Sequence, residues 1–199
     1  MRNVVVIGFV GEKRGGKGTS QTLMREVLRE YGVLSVASFS TSDAIAKTLR
    51  EYGVFESREN RMKFAVLMDS NFGEGRITER IFNVVREDRS TVRMVDSIRW
   101  LTDKDALRQQ SNNLLLYVTA LPEVRWKRGL ASSDKPDDQN ISYEEFLKKD
   151  ESPTEKLIRT IGAEADWKID NNFNDREFLK QEIRAFVDCK VIPLLSKEE

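Results

Sequence analysis

The chain opens on NVVVIGF, residues 3–9, and runs at once into GEKRGGKGT, Gly11 to Thr19. This junction constrains the fold more than any other feature. An apolar, β-branched run without polar alternation suits a strand buried on both faces, as in a parallel sheet. Beyond the glycines, Leu23, Val27 and Leu28 recur at helical spacing between Gly18 and Tyr31, and Gly32 reads as the helix stop. Strand, glycine-rich loop and helix together are the setting of a phosphate-cradling loop, written G-x-x-x-x-G-K-[ST]. Gly11, Gly16 and Lys17 fit that spacing, but Gly18 stands where Ser or Thr is written and Thr19 comes one place late. No G-x-G-x-x-G register is present, so a dinucleotide fingerprint fits worse.

The chemistry follows from the residue types. A phosphate chain needs many N–H donors in a small concave space, and glycines allow the close wrap. A helix starting just after the loop adds its N-terminal partial charge. Lys17 supplies a full charge that can follow the β- and γ-phosphates. The candidate phosphate-binding set is Gly11, Arg14, Gly15, Gly16, Lys17, Gly18 and Thr19.

The same strand-and-helix alternation continues along the chain. Strands are expected at 33–39, 91–96, 113–121 and 166–171. A helix from the caps offered by Thr41, Ser42 and Asp43 should run to about residue 51. Residues 57–88 read as helices broken at 71–75, with Ser57 and Asn60 as a weak cap and Ile77, Ile81, Phe82 and Val85 on one face. Thr102 to Gln110 should be a helix capped by Thr102 or Asp103. Helix resumes at 123–128, and again over 142–162 behind a Ser142/Glu145 capping box. GLASSDKPDDQN, 129–140, is the best candidate for a mobile loop, and its acids Asp134, Asp137 and Asp138 suit a solvated loop better than a metal site. A closing amphipathic helix is expected over 175–191. This alternation argues for a parallel sheet with helices on both faces.

Composition narrows the function. The 33 Lys and Arg balance 33 Asp and Glu, so no bulk attraction draws the chain to nucleic acid or an anionic membrane. The absence of histidine removes histidine triads and histidine-held metals. The single cysteine, Cys189, permits no intramolecular disulfide and points to a cytoplasmic protein. It lies in an apolar helical pattern and is expected in the core. At 199 residues one domain is expected, and no apolar run reaches transmembrane length.

The G-x-x-x-x-G-K-G-T order of Gly11 to Thr19 resembles the loop of the nucleoside monophosphate kinases, adenylate and cytidylate kinases above all. The resemblance implies a P-loop NTPase three-layer α/β sandwich with a five-stranded parallel sheet. It implies a core of 1–39, 91–124 and 156–199, an acceptor-binding insertion at about 40–90 and a lid at about 125–155. It also implies ATP as donor, Mg2+ held largely through water and phosphate oxygens, and a small nucleotide as partner. MVDSIRW, 94–100, resembles the D-G-x-P-R segment of adenylate kinases, with Ser97 for the glycine, no proline and the arginine one place early. That D-[GS]-I-R form is closer to adenylate-kinase-related and dephospho-coenzyme-A-kinase-like proteins. Asp96 would then orient a metal-bound water, with Thr19 beside it, and Arg99 would reach a phosphoryl oxygen. LPEVRWKR, 121–128, carries Arg125 and Arg128 three apart, the place of lid-base arginines that close over the transferring group.

In the insertion, Arg58 and Arg61 are candidates for the acceptor's phosphate. Asp43 either meets the acceptor or caps a helix. EADWKIDNN, 164–172, resembles the segment that closes these kinases, so Asn171 and Asn172 either flank adenine or make a turn. The expected function is phosphoryl transfer from ATP to a nucleoside or deoxynucleoside monophosphate. Two alternatives stand beside it. One is a dephospho-coenzyme-A-kinase-like enzyme that acts on a hydroxyl, with Asp43 as base. The other is a nucleotide-binding ATPase or switch, although no N-K-x-D element of a GTPase is present. The oligomeric state is not legible in the sequence.

Overall fold

A computed structural model of the protein describes residues 3–96, 98–131 and 141–197, without the side chains of Arg58 and Thr154. Five strands form one parallel sheet: β1 (Val5–Val10), β2 (Val36–Ser40), β3 (Val92–Asp96), β4 (Asn113–Thr119) and β5 (Trp167–Asp170). Their order is β2-β3-β1-β4-β5. Every residue of β1 is buried, as its unbroken apolar run requires of a central strand covered on both faces.

Helix α1 (Lys17–Glu30) and α9 (Arg176–Phe186) cover one face. There Leu23, Val27 and Leu28 meet Ile183 and Phe186 above Val5, Ile7 and Phe9. The other face carries α4 (Arg76–Glu87), α5 (Leu101–Arg108) and α8 (Pro153–Ala163), which bury Ile81, Phe82, Leu107 and Ile161 over Val6 and Val10. Two apolar layers thus sandwich the sheet and leave its strand ends, where the loops gather, for chemistry. Helices α2 (Thr41–Glu51) and α3 (Arg58–Phe72) follow β2, and α6 (Pro122–Ala131) and α7 (Tyr143–Asp150) follow β4. No helix among the described residues is long and apolar enough to cross a membrane.

Several boundaries differ from the sequence expectation for local reasons. The cap of α2 is Ser40, whose Oγ accepts from Asp43 N at 3.2 Å; Asp43 sits inside the first turn. The expected helix over 142–162 is two helices. Pro153 has no N–H to donate and its ring is compatible only with a first turn, so α8 starts there. The Ser142/Glu145 capping box is present, with both reciprocal bonds made. For α5, Asp103 Oδ2 accepts from the N–H groups of Arg99 and Trp100, and the helix begins at Leu101. The closing helix passes through a π-helical turn, Val187–Val191, into α10 (Ile192–Leu195). Val187 and Val191, four residues apart, point inward, and Cys189 between them is exposed rather than in the core. Most of the expected mobile loop, with Asp134, Asp137 and Asp138, lies outside the described residues.

Candidate active site

The loop between β1 and α1 lies against the end of β4. A Cβ added at Gly11 would stand 2.1 Å from the Val118 carbonyl oxygen, and one at Gly15 would stand 2.7 Å from it. Gly16 caps α1 with φ at +109°, and a Cβ there would meet Asn171 Nδ2 at 2.2 Å. Both its dihedral and its neighbour demand glycine. Arg14 takes the left-handed conformation with φ at +64°. Gly18 differs: a Cβ there would meet nothing within 4 Å, and Gly18 and Thr19 both face solvent on the first turn of α1. Packing therefore fixes Gly11, Gly15 and Gly16, while Gly18 and Thr19 border the open space where a ligand would lie. Gly16→Ala should cost ~2 kcal/mol or more and disorder the loop. Thermal melting together with nucleotide titration checks this, and an unchanged melt would contradict the geometry.

Two residues from distant segments hold the loop from behind. Asn171, at the end of β5, donates from Nδ2 to the Gly15 carbonyl at 2.9 Å and from its backbone N to Thr119 O at 2.7 Å. Arg128 of α6 donates to the carbonyl oxygens of Arg14 (3.2 Å), Asn171 (2.8 Å) and Phe173 (3.1 Å), and to Asn174 Oδ1 (3.1 Å). It is thereby a clasp between the loop and the β5–α9 turn. Beside it an open cleft of about 400 Å³ runs between Arg14, Gly16 and Thr19 on one wall and Arg128, Asn171 and Phe173 on the other.

Lys17 is partly buried, and its ammonium donates to the carbonyl oxygens of Gly11 and Glu12, the latter at 3.2 Å. Its pKa falls to about 8, chiefly from burial and then from the charge of Arg99, against the opposing pull of Asp96, Glu155 and Glu12. Asp96 ends β3 beside Ser40 in strand register, and its Oδ1 accepts from Gln21 Nε2 of α1 at 2.8 Å. Arg99 is exposed, and among the described residues its guanidinium has no hydrogen-bond partner. Lys17, Asp96 and Arg99 thus share one electrostatic site at the loop. Arg61 reaches from α3 to Ser42 Oγ at the start of α2, at 2.9 Å, beside Asp43 in the turn that follows β2. The Arg58 side chain lies outside the described residues.

Arg125 does not join this group. Its side chain is 2% exposed, pairs with both carboxylate oxygens of Asp150 (Nη2–Oδ2 2.7 Å) and donates from Nε to Ala120 O at 2.9 Å. The expected lid arginine is instead a buried strut between α6 and α7, because Asp150 neutralises it away from solvent. Arg159 shares the same carboxylate at 3.3 Å.

Sequence reasoning missed Glu12. It is buried within the loop, and its Oε1 accepts from the Tyr117 hydroxyl at 2.6 Å, while its Oε2 has no partner among the described residues. Burial and then this bond hold the Tyr117 phenol protonated, far above its usual range. Nothing local announces the pair, since Tyr117 follows Glu12 by 105 residues.

No family model matches the chain. Among curated proteins it is similar to a UPF0200 protein of Hyperthermus butylicus, at 22% identity over 164 residues, 82% of this chain and 86% of that one. A UPF0200 protein of Methanosarcina mazei is 24% identical over 177 residues, 88% and 90% of the two chains. Among solved structures, shikimate kinase of Acinetobacter baumannii in complex with shikimate superposes with a TM-score of 0.57 at 17% identity, covering 92% of this chain and 93% of that one. Shikimate kinase of Aquifex aeolicus gives 0.56 at 16%, covering 94% and 98%. The chain therefore has the fold of the small P-loop kinases.

Proposed function

We propose that this protein is a phosphotransferase that moves the γ-phosphoryl group of ATP to a nucleoside or deoxynucleoside monophosphate. The observation that carries this reading is the glycine loop opening onto α1, with the Lys17 ammonium held over it by the carbonyl oxygens of Gly11 and Glu12. The loop and the α1 N-terminus would take the donor's phosphates, and the cleft beside Arg128 and Phe173 would take its base. In the transfer, the bond between the γ-phosphorus and the β–γ bridging oxygen breaks as a new one forms to an acceptor oxygen. Charge spreads over the equatorial oxygens, where the cations Lys17 and Arg99 stabilise it. Arg61 and Arg58 of the insertion would orient an acceptor phosphate, which needs cations rather than a base.

The donor set also fits Mg2+. Asp96 is oriented by Gln21 and Thr19 stands exposed on the α1 turn, so one carboxylate and one hydroxyl are offered to an ion that keeps most of its waters. When bound, such an ion would supply positive charge against the donor's phosphates.

The Lys17 pKa gives a pH signature. Bound phosphates favour the ammonium, so the free protein must take up a proton on binding once Lys17 has lost it. Affinity for ATP should be level below about pH 8 and should fall by up to about tenfold per pH unit above it. An ordinary lysine would hold affinity level to above about pH 10. Calorimetric titrations across that window, in buffers of different ionisation heat, measure both the fall and the proton uptake.

A second reading is favoured by the fold likeness to shikimate kinases, whose named substrate, shikimate, carries no phosphate. A hydroxyl acceptor such as dephospho-coenzyme A would need a base, and Asp43 in the turn that follows β2 would serve. ADP release across a panel of nucleoside monophosphates, dephospho-coenzyme A and shikimate separates the two readings. Release independent of every acceptor would mark an ATPase instead.

A further inference from the structure

The Arg99 guanidinium has no side-chain or backbone partner among the described residues, so its place is set by its own backbone. That backbone is pinned on two sides. Just before it, the buried Ile98 donates from its N to the Phe9 carbonyl of β1 at 2.9 Å. Behind it stands Asp103, which is 6% exposed. Asp103 Oδ2 accepts from Arg99 N at 3.0 Å and from Trp100 N at 3.1 Å. Asp103 Oδ1 accepts from the hydroxyl of Thr78, itself buried, on the first turn of α4. No lysine or arginine pairs with this carboxylate among the described residues.

A helix cap alone does not require this arrangement. An exposed acid in the first turn takes the free N–H before the helix, and water serves its other oxygen. A buried carboxylate forgoes that water, so its donors must come from protein. Here one donor comes from a different helix. Helix α4 also meets the start of α5 at Gly75, its cap, where an added Cβ would stand 3.3 Å from Thr102 Cγ2. The first turns of α4 and α5 are thus joined, and the carboxylate between them carries the Arg99 backbone. Since α4 is the last helix before β3, Arg99 is tied both to β1, which leads into the glycine loop, and to the insertion proposed to hold the acceptor. We infer that Asp103 and Thr78 are positioning residues for Arg99, fixing its backbone against α4 so that its guanidinium is set for the transferring phosphoryl group. The consequence for transfer rests on the kinase reading; the fixing of the backbone does not.

Thr78→Val keeps the side chain's shape and removes the hydroxyl that Asp103 Oδ1 accepts from. In the full chain, hydrogen exchange at the Arg99 and Trp100 amides should quicken roughly tenfold or more, a larger gain than at the β1 amides. The kcat of the proposed transfer should fall roughly tenfold or more, with KM for ATP within about threefold, since the loop still holds the donor. Thr78→Ser restores the hydroxyl and should return both values to within about threefold of wild type. Asp103→Asn should do as well, because its amide oxygen accepts both N–H groups and its NH2 donates to Thr78. In an Arg99→Ala background, Thr78→Val should lower kcat no further, because its effect runs through Arg99. Unchanged exchange at Arg99 and Trp100 in Thr78→Val would overturn the inference whatever the activity. So would no recovery with serine, or an equal loss of kcat in both backgrounds, which would mark a merely structural role. A wild type that transfers to no acceptor would refute the kinase reading instead, and the exchange measurement would still decide whether the pair fixes the backbone.

Discussion

Lys17→Ala should abolish the proposed phosphoryl transfer, by roughly a thousandfold or more, and leave the fold intact. The two halves of this expectation have separate causes. Lys17 brings the only full positive charge carried on the first turn of α1, and its ammonium already sits over the loop on the carbonyl oxygens of Gly11 and Glu12. Neutral N–H groups of the loop cannot replace it as charge develops on the transferred group. For stability, Lys17 contributes little, because burial already penalises its charge, as its lowered pKa of about 8 reports. Steady-state transfer rates together with a thermal melt measure both. Transfer at the wild-type rate in a folded Lys17→Ala protein would refute the site.

Arg125→Ala has the opposite signature. It leaves Asp150 buried with its main counter-ion gone, at a cost of about 3–5 kcal/mol, which for a chain of this size lowers the melting temperature by on the order of 10 °C. Replacing both partners, Arg125→Met with Asp150→Leu, removes the stranded charge and should recover most of the loss. Arg159 keeps Glu151 as a partner at 2.9 Å in that variant. Transfer should persist in the double variant within about tenfold, since the cations proposed to stabilise it are Lys17 and Arg99. A stable double variant with no transfer would return Arg125 to the reacting phosphates.

These two residues also show what was legible in the sequence. The strand, glycine loop and helix at the N-terminus were legible because their signals are adjacent: a β-branched run, glycines, a lysine and a helical period lie within the first 31 residues. The parallel sheet followed from the same short-range alternation. Arg125 was misplaced because its character depends on Asp150, on a helix beyond the 132–140 segment. Two arginines three apart on one helix look alike in sequence. In the fold one is neutralised in the interior, and the other clasps the loop to Asn171 and Phe173. Glu12 was invisible for the same reason: its partner Tyr117 meets it only when β1 and β4 pair. The split of α7 from α8 was readable in Pro153, and the outward turn of Cys189 in its place midway between Val187 and Val191, on the opposite side of the helix.

The most direct test of the central claim follows the phosphorus atom itself. ATP labelled in its γ-phosphate is incubated with the protein, Mg2+ and each nucleoside or deoxynucleoside monophosphate in turn, and the products are separated. Label should appear in a nucleoside diphosphate for at least one acceptor and be absent with Lys17→Ala. Label released only as inorganic phosphate, at a rate indifferent to every monophosphate, would contradict it.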